Sequence, residues 1–234
     1  MGAIYRREMG AFFTSGLAYV FLAVFYIFSG YYFYNEVIQS GYSDISPLFR
    51  DMFRIVLFLI PILTMRLLSE EKKNRTDQGL LTAPVGLWEI VLGKYFAAFT
   101  IYIIAESITF VYAVILGYLG DIVWATLLGN YFAMLLLGAA FIAVGVFISS
   151  LTENQMTAAV FSMAVLFFLY LFDSFADRIS WQWLYNMVTE LSFYTRYIEF
   201  TRGVFNLTSV LFYLSTAFLF NFFTVRVLEK RRWS

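Results

Sequence analysis

The chain is a succession of apolar segments whose charged and helix-breaking residues are confined to short connections, and that layout leaves it few folds. A hydrocarbon core of about 30 Å asks for roughly 20 apolar residues per helix. Six segments meet that demand, at approximately 17–34, 52–68, 90–118, 123–148, 157–172 and 208–227. Charged residues make up 14% of the 234, against roughly a quarter in a soluble domain. Lipid has to replace the missing charge, so the expected fold is all-α, a polytopic membrane protein with six transmembrane helices. Arg6 and Arg7 precede a long apolar segment with no small-residue cleavage site, so the first span is expected to remain as a helix. The pieces outside the spans are too short for a core of their own, so residues 1–234 are expected to form one transmembrane domain.

Six spans place both termini on one side. Lys and Arg on that side number 11 (Arg6, Arg7, Arg66, Lys72, Lys73, Arg75, Lys94, Arg226, Lys230, Arg231, Arg232). The other side has 5, namely Arg50, Arg54, Arg178, Arg196 and Arg202. The basic excess predicts cytoplasmic termini. With no His and no Cys, disulfides, thiolate nucleophiles and typical zinc sites are excluded. A phosphate-cradling loop is also missing: Gly86 to Gly93-Lys94-Tyr95 has the wrong spacing and no following Ser or Thr. The chain carries no ATPase motif, no cofactor is expected in it, and no nucleic-acid partner is implied.

Six pieces are candidates for function. Residues 4–15 mix Arg6 and Arg7 with Phe12 and Phe13, the pattern of an interfacial helix whose aromatics dip into the acyl boundary while the arginines meet lipid phosphates. A simple positive-inside anchor explains the same residues. The insert 69–88 is the longest polar connection, and a mere link between helices needs only a few residues. Its charged half holds Glu70, Glu71, Lys72 and Arg75, and its apolar half Leu80, Leu81, Pro84 and Val85. That order suggests a short helix docking on a partner, a solvated loop being the plainer reading. In the second inner connection, Thr152, Glu153 and Asn154 precede the fifth span, where Thr152 with Gln155 reads as a capping box. Glu106 lies in the middle of the third span with Tyr102 and Thr109 at helical spacing. An intramembrane carboxylate should face the bundle or a wet cavity, hydrogen-bonded to hydroxyls or placed for substrate passage. Gly138, Ala139, Ala140, Ala143 and Gly145 give the fourth span a small-residue face for close packing, within the bundle or between protomers. Residues 173–207 carry two helical stripes, Trp181-Leu184-Val188-Leu191 and Tyr194-Tyr197-Ile198-Thr201-Phe205, expected as two short amphipathic outer helices.

Taken together these pieces resemble the type-2 ABC transporter permease family, and within it the gliding-motility-associated branch. The N-terminal YRREMGAFFTSGLAYVFLAVF resembles the family's interfacial elbow, and PILTMRLLSEEKKNRTDQGLLTAPVGLWEIVLGKY its coupling segment. GVFISSLTENQMTAA is similar to the end of the fourth span and its inner turn, and FTRGVFNLTSVLFYLSTAFLFNFFTVRVLEKRRW to the branch's C-terminal signature. The resemblance implies a permease in a bacterial plasma membrane whose segment 69–88 docks on a separate ABC ATPase dimer, with ATP and Mg held in that partner. It implies pairing with a second copy or with a related membrane subunit bearing an extracytoplasmic domain, and it leaves the two open. Coupling of ATP hydrolysis to export of a substrate is the expected function. The alternative is a non-transporting anchor or mechanotransmitter linking the ATPase to an extracytoplasmic partner.

Overall fold

The computed structural model describes residues 1–41, 44–76, 78–79, 84–119, 123–176, 181, 183, 190–203 and 205–232. Every element among them is helical. An N-terminal helix α1 (Gly2–Thr14) ends at Gly16, whose φ of 75° turns the chain into α2 (Leu17–Tyr32). Only a residue free of Cβ crowding takes that backbone conformation without strain. A π-helical turn, Phe33–Ile38, extends α2. Then come α3 (Ser46–Thr64) and α4 (Arg66–Lys73), the latter continuing α3 beyond a break at Met65. The third span is two helices, α5 (Leu87–Glu106) and α6 (Ile108–Leu119), interrupted at Ser107. The remainder are α7 (Trp124–Leu151), α8 (Gln155–Ala176), the short α9 (Phe193–Thr201) and α10 (Leu207–Arg232).

Five stretches are long and apolar enough to cross a membrane: Leu17–Ile38, Ser46–Lys73, Leu87–Tyr118, Trp124–Leu151 and Leu207–Arg232. A shorter apolar helix, Gln155–Leu171, coincides with the fifth expected span. Ile27, Val114, Val160, Leu211 and Phe218 all lie exposed on outward faces of these helices. A soluble protein could not leave so much apolar surface uncovered, and here it is the surface that meets lipid. The chain is a multi-pass membrane protein.

The bundle is built around α7, which packs against α3, α4, α5, α8, α9 and α10. Its small residues are what let the neighbours in. A Cβ placed on Gly138 would overlap the ring of Tyr102 from α5, and one on Gly145 would overlap Thr64 from α3. The small-residue face is therefore used for close packing within the bundle. Tyrosine hydroxyls then bridge helices: Tyr102 donates to the Met134 carbonyl at 2.9 Å, Tyr95 to Ala139 at 3.1 Å and Tyr197 to Phe49 at 2.8 Å. Inside the bundle each of those buried hydroxyls needs an acceptor, so the bonds fix rotation as well as distance.

In the outer region α9 is the short amphipathic helix expected over the second stripe, its apolar face of Phe193, Tyr197 and Phe200 buried against the bundle and Phe205 exposed beyond its end. Leu184 and Val188 of the other expected outer helix lie outside the described residues.

Gly138→Ala should lower thermal stability by about 1–3 kcal/mol, because Tyr102 has to leave its rotamer. Gly129→Ala on the same helix has open space at its Cβ and should change little. A thermal unfolding scan of the two variants in one detergent checks this, and equal midpoints would refute the packing argument.

Candidate functional site

Where α4 meets α1 and α5, four charged residues close on one another. The Lys94 ammonium of α5, with 1% of its side chain exposed, donates to Glu8 of α1 at 2.9 Å and lies 3.0 Å from the same Oε1 of Glu71, in α4, that Arg7 meets. Arg7 also donates to Glu8 at 2.6 Å and to Glu71. Two cations face two anions, so the cluster is neutral although Lys94 is fully enclosed. Burial alone would push the Glu8 carboxyl up, but Lys94 and Arg7 outweigh it and hold it below the ordinary range. Burial likewise opposes the Arg7 charge, and the two carboxylates more than restore it.

Local sequence explains how these groups arrive. Helix α1 lies along the first half of α5 because Gly93 has no side chain, and Ile4 sits where a Cβ would be. Tyr5 and Thr100 share a hydrogen bond at 3.0 Å, and the amino terminus reaches Glu89 at 3.1 Å. Phe12 is buried under the Arg66 guanidinium, 5.7 Å from its ring centroid. Here the structure corrects expectation: Phe12 is in the protein core rather than in lipid, and Arg7 faces carboxylates rather than phosphates. Arg6 is exposed, and Phe13 is half-buried with its ring edge-on to Tyr19.

The break between α3 and α4 is held from the opposite side. Ser149 of α7 accepts from the Leu68 and Ser69 N–H groups, both at 3.1 Å, and donates to the Met65 carbonyl at 2.9 Å. Backbone groups at the junction are thus met by one hydroxyl from α7, with the Ser69 hydroxyl also donating to the Met65 carbonyl. Further along α4, Lys72 donates to the Leu151 carbonyl at 3.3 Å and pairs with Glu153 at 3.7 Å. The insert and the second inner connection are therefore in direct contact.

The individual expected residues fall as follows. Glu70 pairs with Arg66 at 3.2 Å, Glu71 points into the cluster and Lys72 lies on the second inner connection. Lys73 and Arg75 are exposed, Arg75 with a φ of 56°. Val85 packs on the core and Pro84 is exposed, while Leu80 and Leu81 lie outside the described residues. The capping box is not formed: the Thr152 hydroxyl is buried with no partner among the described residues. Asn154 caps α8 instead, its Oδ1 accepting from the Met156 N–H at 2.9 Å. Two residues nearer the helix start than Thr152 and directly before Gln155, Asn154 takes the N-cap position.

Glu8 and Lys94 carry the cluster, yet neither stood out in the sequence. Glu8 is hidden in a basic N-terminal run, and Lys94 read as one more inner cation. The available signal was a lysine eight residues into an apolar helix, too deep to reach water without a partner. Glu106 is buried at the break between α5 and α6. The hydroxyls expected to serve it are bonded to backbone: Tyr102 to Met134, and Thr109 to the carbonyl of Glu106 itself at 2.8 Å. One carboxylate oxygen, Oε2, has no partner among the described residues.

The sequence profile described as ABC-2 family transporter protein matches residues 3–180, more than half of the chain. The chain belongs to that family. It is the membrane component of an ABC transporter, a permease, and the matched stretch contains α1, α4, Lys94 and the second inner connection. No individual curated protein matches it. Most of the outer region and all of α10 lie beyond the matched stretch of the permease.

Lys94→Met leaves two carboxylates buried with one cation and should destabilise the permease by about 3–5 kcal/mol. Lys94→Met combined with Glu71→Gln removes one charge of each sign and should recover part of that loss, read as an unfolding midpoint. The Glu8 carboxyl ionises below its ordinary 4.5 when folded. Its stabilisation is complete above that value and is lost as pH falls through the folded value. The chain has no native Cys, so labels at Arg6→Cys and Lys73→Cys report the α1–α4 distance by electron–electron resonance. That distribution should be narrow at about pH 7 and broaden at about pH 3. An unchanged distribution would assign the docking of α1 to Ile4 and Phe12 alone.

Proposed function

We propose that this permease couples a cytoplasmic ABC ATPase dimer to export of a substrate, and that α4 is the element through which force enters. The observation that carries this reading is the clamping of α4 on three sides, by Lys94 and Arg7 through Glu71, by Ser149 at the Met65 break, and by the second inner connection through Lys72. A displaced α4 has to take α1, α5 and α7 with it. Driving a two-state bundle from 1:99 to 99:1 takes about 5.5 kcal/mol of differential binding, which a free loop could not transmit.

With Glu70, Glu71 and Lys72 engaged inside the chain, Lys73 and Arg75 become the charged groups that meet the ATPase. Both termini then lie in the cytoplasm of a bacterial cell, in keeping with the basic bias of this end. The interior of the bundle is filled by Tyr102, Phe53, Phe141 and Tyr197. A substrate path therefore lies between this chain and a second membrane subunit, either another copy or a relative with an extracytoplasmic domain, as the resemblance to the gliding-motility-associated branch suggests. The same filled interior also suits a mechanotransmitter, which moves an outer partner and passes no solute.

Two variants separate docking from transmission in membranes that contain the ATPase. Lys73→Glu with Arg75→Glu should reduce ATPase co-purification several-fold. Glu71→Gln should retain the ATPase but lower the dependence of its hydrolysis rate on the permease. Full coupling in Glu71→Gln would remove α4 from the transmission path.

A further inference from the structure

At the end of the bundle opposite the ion-pair network, an open cavity of about 830 Å³ lies between the start of α3, the end of α6, the start of α7 and α9. Its walls include Leu116, Leu127 and Ile198, and its charged lining is Asp44, Arg50 and Arg202. Asp44 is engaged, one carboxylate oxygen accepting from the Ser46 N–H at 2.9 Å where α3 begins. The described arginines at this end divide into two kinds. Arg54 pairs with Asp51 at 3.1 Å, and Arg196 pairs with Glu190 at 2.5 Å. Arg50 and Arg202, the two that line the cavity, have guanidinium groups with no ion pair or hydrogen bond among the described residues.

We infer that this cavity binds an anionic amphiphile, a phosphate-bearing headgroup attached to an acyl chain. Arg50 and Arg202 both line this one space, and Arg binds phosphate oxygens through two parallel hydrogen bonds. The apolar walls cover the first carbons of a chain that would be wasted on a free ion. Depth agrees with this assignment. Tyr118 and Trp124 are exposed beside the cavity, and such residues mark the level of the headgroups. An acyl chain entering here continues into the lipid that meets the exposed face of α6, where Val111, Val114 and Ile115 point outward. The volume also lies within the range of small-molecule sites, roughly 300–1,000 Å³. The site is independent of the ATPase coupling and is tested without it.

The test is equilibrium binding of a fluorescent lysophosphatidylglycerol to the purified permease in an uncharged maltoside detergent. Saturable binding should be displaced by unlabelled lysophosphatidylglycerol, and roughly ten-fold less well by lysophosphatidylcholine or by glycerol 1-phosphate. Arg50→Gln with Arg202→Gln should weaken binding roughly ten-fold, and Arg6→Gln at the other end should not. Ile198→Trp narrows the cavity with both arginines in place and should also weaken it, so a folding defect in one variant does not decide the matter. Equal displacement by lysophosphatidylcholine would overturn the role of charge. Equal displacement by glycerol 1-phosphate would reduce the site to one for a free anion. Binding that survives all three cavity substitutions, or no saturable binding to the native chain, would overturn the proposal entirely.

Discussion

One buried ammonium group, that of Lys94, ties together three segments far apart in the sequence. It is 1% exposed and touches Glu8 from the first helix and Glu71 from the polar insert. An isolated charge at that depth would be driven neutral or out to water, so the lysine can stay only if both carboxylates are in place. The dependence runs the other way as well, because each carboxylate is largely enclosed and needs the cation. Replacing the cluster with apolar side chains of similar volume could leave stability unchanged or higher, so stability is a weak reason for keeping it. What it provides is register: with α1, α4 and α5 arranged in this way all four charges meet, one Glu71 oxygen, Oε2, staying without a partner among the described residues.

That arrangement is usable because the rest of the bundle is stiff. Gly138 and Gly145 bring Tyr102 and Thr64 into contact with the α7 backbone, and the tyrosine hydroxyls lock those approaches with hydrogen bonds to carbonyls. Helices packed at that density do not deform continuously, so a displacement at one end is passed along instead of dissipated. Lipid supplies no hydrophobic drive for helices to associate, and close packing with interhelical hydrogen bonds has to do so. The small-residue face and the tyrosines are two halves of one solution.

Much of this was legible in the sequence, and the reasons it was not legible elsewhere are physical. Segments near 20 apolar residues announce helices because the bilayer fixes their length, and the glycine and alanine run of α7 announces close approach. The sequence left open whether that face served the bundle or a dimer, because small residues permit an approach without naming the neighbour. Charge is harder to read. Glu71 read as a contact for a soluble partner because an exposed and an inward-facing glutamate look alike in a polar run. Only the position of Lys94 on another helix decides between them. Phe12 was taken for a lipid anchor for a related reason, since an aromatic beside basic residues fits both an interface and a cation–π contact such as that with Arg66. Thr152 and Asn154 both make good caps, and the choice between them rests on two residues of helix register.

Two breaks interrupt otherwise continuous helices, and they are not alike. At Met65 the Ser149 hydroxyl of α7 accepts from the Leu68 and Ser69 N–H groups and donates to the Met65 carbonyl, which the Ser69 hydroxyl also meets, so α7 holds the junction of α3 and α4 from the side. At Ser107 the neighbouring Glu106 keeps a buried carboxylate oxygen with no partner among the described residues, while nearby hydroxyls are committed to backbone carbonyls. A buried acceptor left unfilled costs about 1–3 kcal/mol, more when charged, and such a site gains most from any rearrangement that fills it. Of the two junctions, that of α5 and α6 has the more to gain by rearranging, because Glu106 Oε2 lies buried there with no partner among the described residues.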